Sequence, residues 1–82
     1  MQHIKIINDN NRPWSVVVVD NKVKFYDARY EHTIYGQFVA SYYVSTILED
    51  DDGLCLDGGV PDWKISAEAM SRIRAWLQDL EQ

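Results

Sequence analysis

The densest mixture of titratable side chains in this chain lies in Asp27-Ala28-Arg29-Tyr30-Glu31-His32. An imidazole beside carboxylates can transfer protons near neutral pH, and Arg and Tyr are residue types that anchor protein–protein contacts. The same segment also fits the end of a strand, with Asp27 and Arg29 forming an exposed ion pair that contributes roughly 0–1 kcal/mol. The segment therefore predicts local structure or a binding contact ahead of catalysis.

A second group of charges lies in residues 49–62, which hold six acids and no basic residue. Carboxylates in a glycine-containing loop can bind calcium, but an EF-hand loop needs alternating oxygen ligands that end in a distal Glu. Leu54-Cys55-Leu56 occupies the span where further ligands should lie. The run predicts a solvated loop or a patch for a basic partner, with Asp50, Asp51 and Asp52 as candidate contact residues.

Cys55 is the only cysteine, so no internal disulfide is expected. A cysteine and a histidine such as Cys55 and His32 can act as nucleophile and general base. However, a cysteine between two leucines is typically a small buried hydrophobe. Zinc requires about four ligands, and Cys55, His3 and His32 lack paired spacing. Asp57-Gly58-Gly59 lacks the residues of a phosphate-binding loop and indicates a hairpin turn. We expect no metal, no cofactor and no enzymatic activity.

The aromatic residues have a very uneven distribution. All five tyrosines and both phenylalanines lie between residues 25 and 43. Tyr has an apolar ring and a polar tip, so a dense cluster is typical of a protein-binding surface, although the same rings can build the core of a small domain. The candidate partner-binding residues are Arg29, Tyr30, Tyr35, Phe38 and Tyr42, with Trp63 as a further candidate.

The 82 residues predict one domain, which should bury roughly 60–65% of the surface of its unfolded chain. The net charge of −5 argues against direct binding to nucleic acid and favours a basic protein partner. No apolar run approaches 18 residues, and the start of the chain lacks a signal-peptide core. We therefore expect no membrane association and a cytoplasmic location, in the host cytoplasm if the gene is viral.

The first half of the chain predicts three strands at residues 2–7, 15–19 and 22–27, with turn residues at 8–13. Asp20-Asn21 fits a two-residue hairpin turn, which places Val18 opposite Val23 and Val16 opposite Phe25. One face of this hairpin then carries the core. The predicted core residues are Trp14, Val16, Val18, Val23 and Phe25, and the opposite face carries Val17, Val19, Lys22 and Lys24.

Residues 35–48 fit a strand by composition and a helix by length and periodicity, and the helix is the prediction. As a helix, the segment would leave Phe38 and Tyr42 together off the core side. Leu54-Cys55-Leu56 predicts a short strand and Trp63-Lys64-Ile65 an extended segment. Ser66 predicts the cap of a final helix, whose apolar stripe is Ala69, Ile73, Trp76, Leu77 and Leu80. The order β-β-β-α-β-(β)-α predicts an α+β fold, a small antiparallel sheet with two helices packed on it.

Phe25-Tyr-Asp-Ala-Arg-Tyr30, Gly36-Gln-Phe-Val39 and Tyr42-Tyr43 resemble segments of small uncharacterised proteins of prophages and other mobile elements. In size, acidity and lack of catalytic motifs, the whole chain is similar to phage anti-defence proteins such as anti-CRISPRs. The resemblance implies a binding module that inhibits or modulates a host protein complex. Two alternatives stay open. One is a homo-oligomeric structural or adaptor domain, joined through the Val17/Val19 face or the Phe38/Tyr42 face. The other is an acidic mimic of nucleic acid.

Overall fold

The computed structural model describes residues 2–49 and 65–80. The described elements are β1 (His3–Asp9), β2 (Arg12–Val19), β3 (Lys22–Asp27), β4 (Gln37–Tyr43), α1 (Val44–Glu49) and α2 (Ala67–Leu80). The strands form one antiparallel sheet in the order β1-β2-β3-β4. The predicted α+β class is confirmed. The strand predicted at residues 54–56 lies outside the described residues, as do residues 63–64 of the predicted extended segment.

Two tight turns build the first three strands. Asn10, Asn11, Asp20 and Asn21 all have positive φ, between 53° and 67°. Asn and Asp tolerate this left-handed conformation, which two-residue hairpins need in order to match the twist of the strands. The predicted register is confirmed, since Val16 pairs with Phe25 and Val18 pairs with Val23. The first turn uses only two of the residues predicted for it, so β1 and β2 extend to Asp9 and Arg12.

The helix predicted over residues 35–48 is wrong for most of its length. Gln37–Tyr43 is a strand, and helix begins only at Val44. The segment is rich in aromatic and β-branched residues, and pairing with β3 satisfies its backbone groups. Phe25 pairs with Ala40 and Tyr26 pairs with Phe38, so Val39 is an extra residue that forms a β-bulge.

The core lies between one face of the sheet and the two helices. From the sheet it takes Ile7, Trp14, Val16, Val23 and Phe25, and from the helices and the residue before α2 it takes Ile47, Ile65, Ala69, Met70, Ile73 and Leu77. Burying a large apolar side chain contributes roughly 1.5–3 kcal/mol, so this layer is the main source of stability. The predicted core face of the β2–β3 hairpin and the predicted stripe of α2 are confirmed.

Polar contacts fix the position of α2. The Ser66 hydroxyl accepts a hydrogen bond from the Ala69 amide at 3.1 Å, which confirms the predicted cap. The Asp9 carboxylate accepts from the Ser66 amide at 2.8 Å and joins the helix start to β1. Arg74 Nε donates to the Ile47 carbonyl at 2.8 Å and joins α2 to α1. Within residues 2–49 and 65–80, neither helix has the length and apolarity needed to cross a membrane.

Candidate binding surface

The candidate site is the sheet face turned away from the helices, which we call the open face. Strand alternation and the observed register define its members. They are Ile4, Ile6, Asn8, Pro13, Ser15, Val17, Val19, Lys22, Lys24, Tyr26, Phe38, Ser41 and Tyr43. The described parts of α1 and α2 pack on the opposite face, so neither helix covers these side chains.

Large apolar side chains are exposed on the open face. Ile4 is 48% exposed and Ile6 is 64% exposed on β1, while Phe38 is 51% exposed and Tyr43 is 59% exposed on β4. Exposed apolar residues that occur singly are ordinary, but several on one face mark an interaction surface. The buried Val17 lies between these two groups, since it pairs with Ile4 on one side and Lys24 on the other.

The β-bulge at Val39 places Phe38 on this face. Phe38 and Tyr42 are four residues apart, so regular alternation would give them the same face. The extra residue reverses the alternation between them. The Phe38 ring lies 5.6 Å from Tyr26 on the open face, whereas the Tyr42 ring lies 6.1 Å from the buried Phe25. The predicted pairing of Phe38 and Tyr42 on one helix face is therefore wrong.

Tyr35 reaches the open face from the β3–β4 loop. Gly36 has φ +121°, and a Cβ there would lie 2.8 Å from the Ala28 Cα and would clash with the Asp27 carbonyl. Only glycine fits this close approach. Thr33 Oγ1 donates to the Gly36 carbonyl at 2.6 Å and accepts from the Tyr35 amide at 3.0 Å, which closes a tight turn.

The Tyr35 ring lies 5.1 Å from the Tyr26 ring, and its hydroxyl accepts a hydrogen bond from the Gln2 side chain. Gln2 directly precedes β1, at the end of the sheet opposite to the β3–β4 loop. The Tyr35 side chain therefore lies across the open face. It joins the loop to the start of the chain.

Asp27 organises the other side of the same loop. Its carboxylate accepts hydrogen bonds from Arg29 Nη2 at 2.7 Å and Arg29 Nε at 3.0 Å, and from Arg12 Nη2 at 3.3 Å. The hydrogen bonds from Arg29 lower the pKa of Asp27, and the Asp27 carboxylate raises the pKa of Arg29. The predicted pair of Asp27 and Arg29 is confirmed. The prediction that the pair is exposed is wrong for Asp27, which is only 3% exposed.

The predicted contact residues do not form one patch. Tyr35 and Phe38 lie on the open face. Arg29 binds the Asp27 carboxylate on the other side of the β3–β4 loop, and its guanidinium lies 5.2 Å from the ring of the half-exposed Tyr30. Tyr42 packs against the core. The remaining predicted contact residues, Asp50, Asp51, Asp52 and Trp63, lie outside the described residues.

Sequence reasoning missed Ile4, Ile6 and Tyr43 as members of the surface. The hairpin at Asn10-Asn11 was the missing signal, because its register places Ile4 and Ile6 beside Val17 and Ser15. Ile34 was also missed. It is almost fully exposed at the tip of the Thr33–Gly36 turn.

An open cleft of about 400 Å³ lies among the described residues at the end of the sheet opposite to the β3–β4 loop. Its lining is His3, Val18, Asp20, Asn21, Val44, Leu77 and Leu80. These side chains include one imidazole and one carboxylate but no nucleophile and no cation. In residues 2–49 and 65–80, no three His, Cys, Asp or Glu residues are grouped so that they could hold a metal ion.

Comparison with known proteins yields no relative. No protein-family model matches the chain, and searches of curated proteins and of solved structures find no match either.

Proposed function

We propose that this protein is a non-enzymatic binding module that captures a protein partner with its open face. The observation that carries the proposal is the exposure of Ile4, Ile6, Phe38 and Tyr43 on one side of a sheet whose other side holds the core. Fully burying one such side chain is worth roughly 1.5–3 kcal/mol, and about half of that gain is still available at each position.

The contacts of Phe38 and Tyr35 on the open face support this proposal. Phe38 is held by the bulge and by Tyr26, and Tyr35 is held by the Thr33–Gly36 turn and by Gln2. Aromatic side chains that are already ordered lose little conformational entropy when a partner binds. Aromatic anchors in the centre of an interface usually supply most of its binding energy.

The proposal includes an effect on the partner. A partner that covers the open face would have part of its own surface occupied, which is the means of action that we propose. The proposed partner, a host protein complex that the protein inhibits or modulates, rests only on the similarity in size, acidity and lack of catalytic motifs to phage anti-defence proteins.

Affinity capture with three forms of the protein tests the proposal. The open-face variant carries Ile6→Ser, Phe38→Ser and Tyr43→Ser. The control variant carries Ser71→Ala, Ala75→Ser and Gln78→Ala on the exposed side of α2. Wild type and control should capture the same protein, and the open-face variant should lose it while its thermal unfolding stays cooperative. Capture that survives in the open-face variant and fails in the control would place the binding surface on α2.

A homo-oligomeric domain joined through the predicted Val17/Val19 face is the second candidate. Val17 itself is buried within one copy, so the exposed isoleucines and aromatic residues of the same face would form the contact. The version that joins copies through Phe38 and Tyr42 is ruled out by their opposite faces. Sedimentation velocity at 10 and 300 µM separates the candidates. A dimer that the open-face variant abolishes favours self-association, and a monomer at both concentrations favours a different partner.

A further inference from the structure

We infer that the partner presents an acidic as well as an apolar surface: a protein segment whose carboxylates meet Lys22 and Lys24 while its apolar side chains cover Phe38, Tyr43 and the β1 isoleucines. This inference rests on the proposed function and names the class of partner. It runs against the net charge of the whole chain, which favours a basic partner.

The charges of the open face are the first observation. The chain has a net charge of −5, yet the charged residues at the open-face strand positions are Lys22 and Lys24, and no carboxylate occupies such a position. The described acids lie at strand ends on the helix side, in turns and loops, or in the helices. They are Asp9, Asp20, Asp27, Glu31, Glu49, Glu68 and Asp79.

The position of the lysines is the second observation. They lie two residues apart on β3, an inner strand, so their Cα atoms are about 6.6 Å apart on the same face. On one side they pair with Tyr43 and Ser41 of β4, and on the other with Val19 and Val17 of β2. The Lys22 ammonium lies 5.6 Å from the centre of the Tyr43 ring. Lys24 therefore lies in a central row of the apolar surface, beside Val17 and in line with Ile4, and Lys22 lies at the end of that surface next to the Asp20-Asn21 turn.

Burial of these charges decides the chemistry of the partner. A surface that covers both the β1 isoleucines and the β4 aromatic residues must also cover the lysines between them. The ion pairs of the described residues join Arg12 and Arg29 to Asp27 and Arg72 to Glu68, and none includes Lys22 or Lys24. An ammonium that loses water without gaining a counter-charge costs several kcal/mol. A partner with carboxylates at these two points avoids that cost.

Nucleic acid also carries negative charge, but the surface suits it poorly. Two lysines neutralise at most two phosphates, whereas affinity for nucleic acid rises with each phosphate contacted. The open face does supply aromatic rings on which bases could stack, but two lysines do not form the basic groove that follows the backbone of a single strand. The remaining net negative charge of the chain repels a polyanion.

Selection from a random 16-residue peptide display library tests this inference and does not require the partner to be identified first. The baits are wild type, Lys22→Glu/Lys24→Glu, the open-face variant defined above, and Lys5→Glu/Arg72→Glu as a control that reverses two charges elsewhere. Wild type and control should select peptides that combine Asp or Glu with aromatic or aliphatic residues. The Lys22/Lys24 reversal should select Lys or Arg in place of the acids. Affinity of wild-type peptides should fall at least tenfold on the reversed bait and several-fold between 50 and 500 mM NaCl.

The outcomes separate this inference from the proposed function. Peptides that need Phe38 and Tyr43 but show no acidic bias would overturn the inference and leave the proposed function in place. A failure to obtain any peptide that depends on the open face would count against both. Labelled 12-nucleotide dT and U oligomers form a second arm. Micromolar binding of these oligomers that the lysine reversal removes would overturn the acidic-protein partner in favour of nucleic acid.

Discussion

Phe38 and Tyr42 lie on opposite faces of the same strand although four residues separate them. The extra residue at Val39 reverses the alternation, so one ring contacts Tyr26 on the open face and the other contacts Phe25 beside the core. One bulge thus transfers an aromatic side chain from the interior to the candidate binding surface.

Stability measurements should show different contributions from Phe38 and Tyr42. Phe38→Ser removes a half-exposed side chain and should change the free energy of unfolding by less than about 1 kcal/mol. Tyr42→Ala removes a ring that packs against Phe25 and the core cluster and should cost about 2–4 kcal/mol. Urea unfolding followed by tryptophan fluorescence measures both. Equal losses of unfolding free energy in the two variants would contradict the placement of Phe38 and Tyr42 on opposite faces of the sheet.

The sequence was sufficient for the elements whose local signals agree. Asp20-Asn21 supplies positive φ between two alternating runs, so the hairpin and its register follow from turn chemistry. Ser66 and the stripe through Ile73 and Leu77 define α2 because cap and periodicity agree.

The sequence was insufficient where local signals conflict. Residues 37–43 have strand propensity, but the bulge breaks the period of two and the helix at Val44 adds a period of 3.6 directly after it. A joint pattern over 35–48 then fits a long helix. Pairing with the free backbone groups of β3 makes this segment a strand, and no local feature of the sequence shows that such a partner strand is present. The open face was missed for the same reason, because its membership depends on pairing between strands.

The charge of Asp27 should make the free energy of unfolding depend on pH in the acidic range. Its pKa is lowered in the folded state by hydrogen bonds from Arg29, so its contribution is complete above its unfolded pKa of about 3.9 and is lost as pH falls through the folded pKa. At pH 7, Asp27→Asn should cost about 1.5–3 kcal/mol, the value of hydrogen bonds to a charged group. The difference in unfolding free energy between wild type and Asp27→Asn should disappear as pH falls below about 4.

Denaturant midpoints from pH 7 to pH 2 measure this effect, with Asp79→Asn on the exposed side of α2 as the control. The control should stay within about 0.5 kcal/mol of wild type at pH 7. A gap for Asp27→Asn that stays constant down to pH 2 would contradict the assigned role of its charge.

Gly36 should be needed for the position of Tyr35. Gly36→Ala forces a Cβ against the Asp27 carbonyl at a φ that side chains rarely adopt, and should cost about 1–3 kcal/mol. Thr33→Val removes the turn hydrogen bonds without that strain and should cost about 1 kcal/mol. Both variants should weaken the Tyr26–Tyr35 ring contact, which nuclear Overhauser effects between the two rings detect. Intact ring contacts in Gly36→Ala would show that the turn tolerates a side chain.

Neutralising the acidic run should distinguish an acidic partner from a basic one. Asp50→Asn/Asp51→Asn/Asp52→Asn raises the net charge from −5 to −2. For an acidic partner, weaker long-range repulsion should leave binding unchanged or speed association a few-fold at low salt. For a basic partner or a nucleic-acid mimic, the same variant should slow association or abolish binding. Surface plasmon resonance of the captured partner at 50 and 300 mM NaCl measures the association rate.

Isoleucine methyl NMR tests the central claim most directly, because the described isoleucines divide between the open face, the loop and the core. Ile4 and Ile6 report on the open face, Ile34 on the β3–β4 loop, and Ile47 and Ile73 on the core. On addition of the captured partner or of a selected peptide, the methyl signals of Ile4 and Ile6 should shift or broaden while those of Ile47 and Ile73 stay in place. Unchanged Ile4 and Ile6 signals in a saturated complex would contradict binding through the open face.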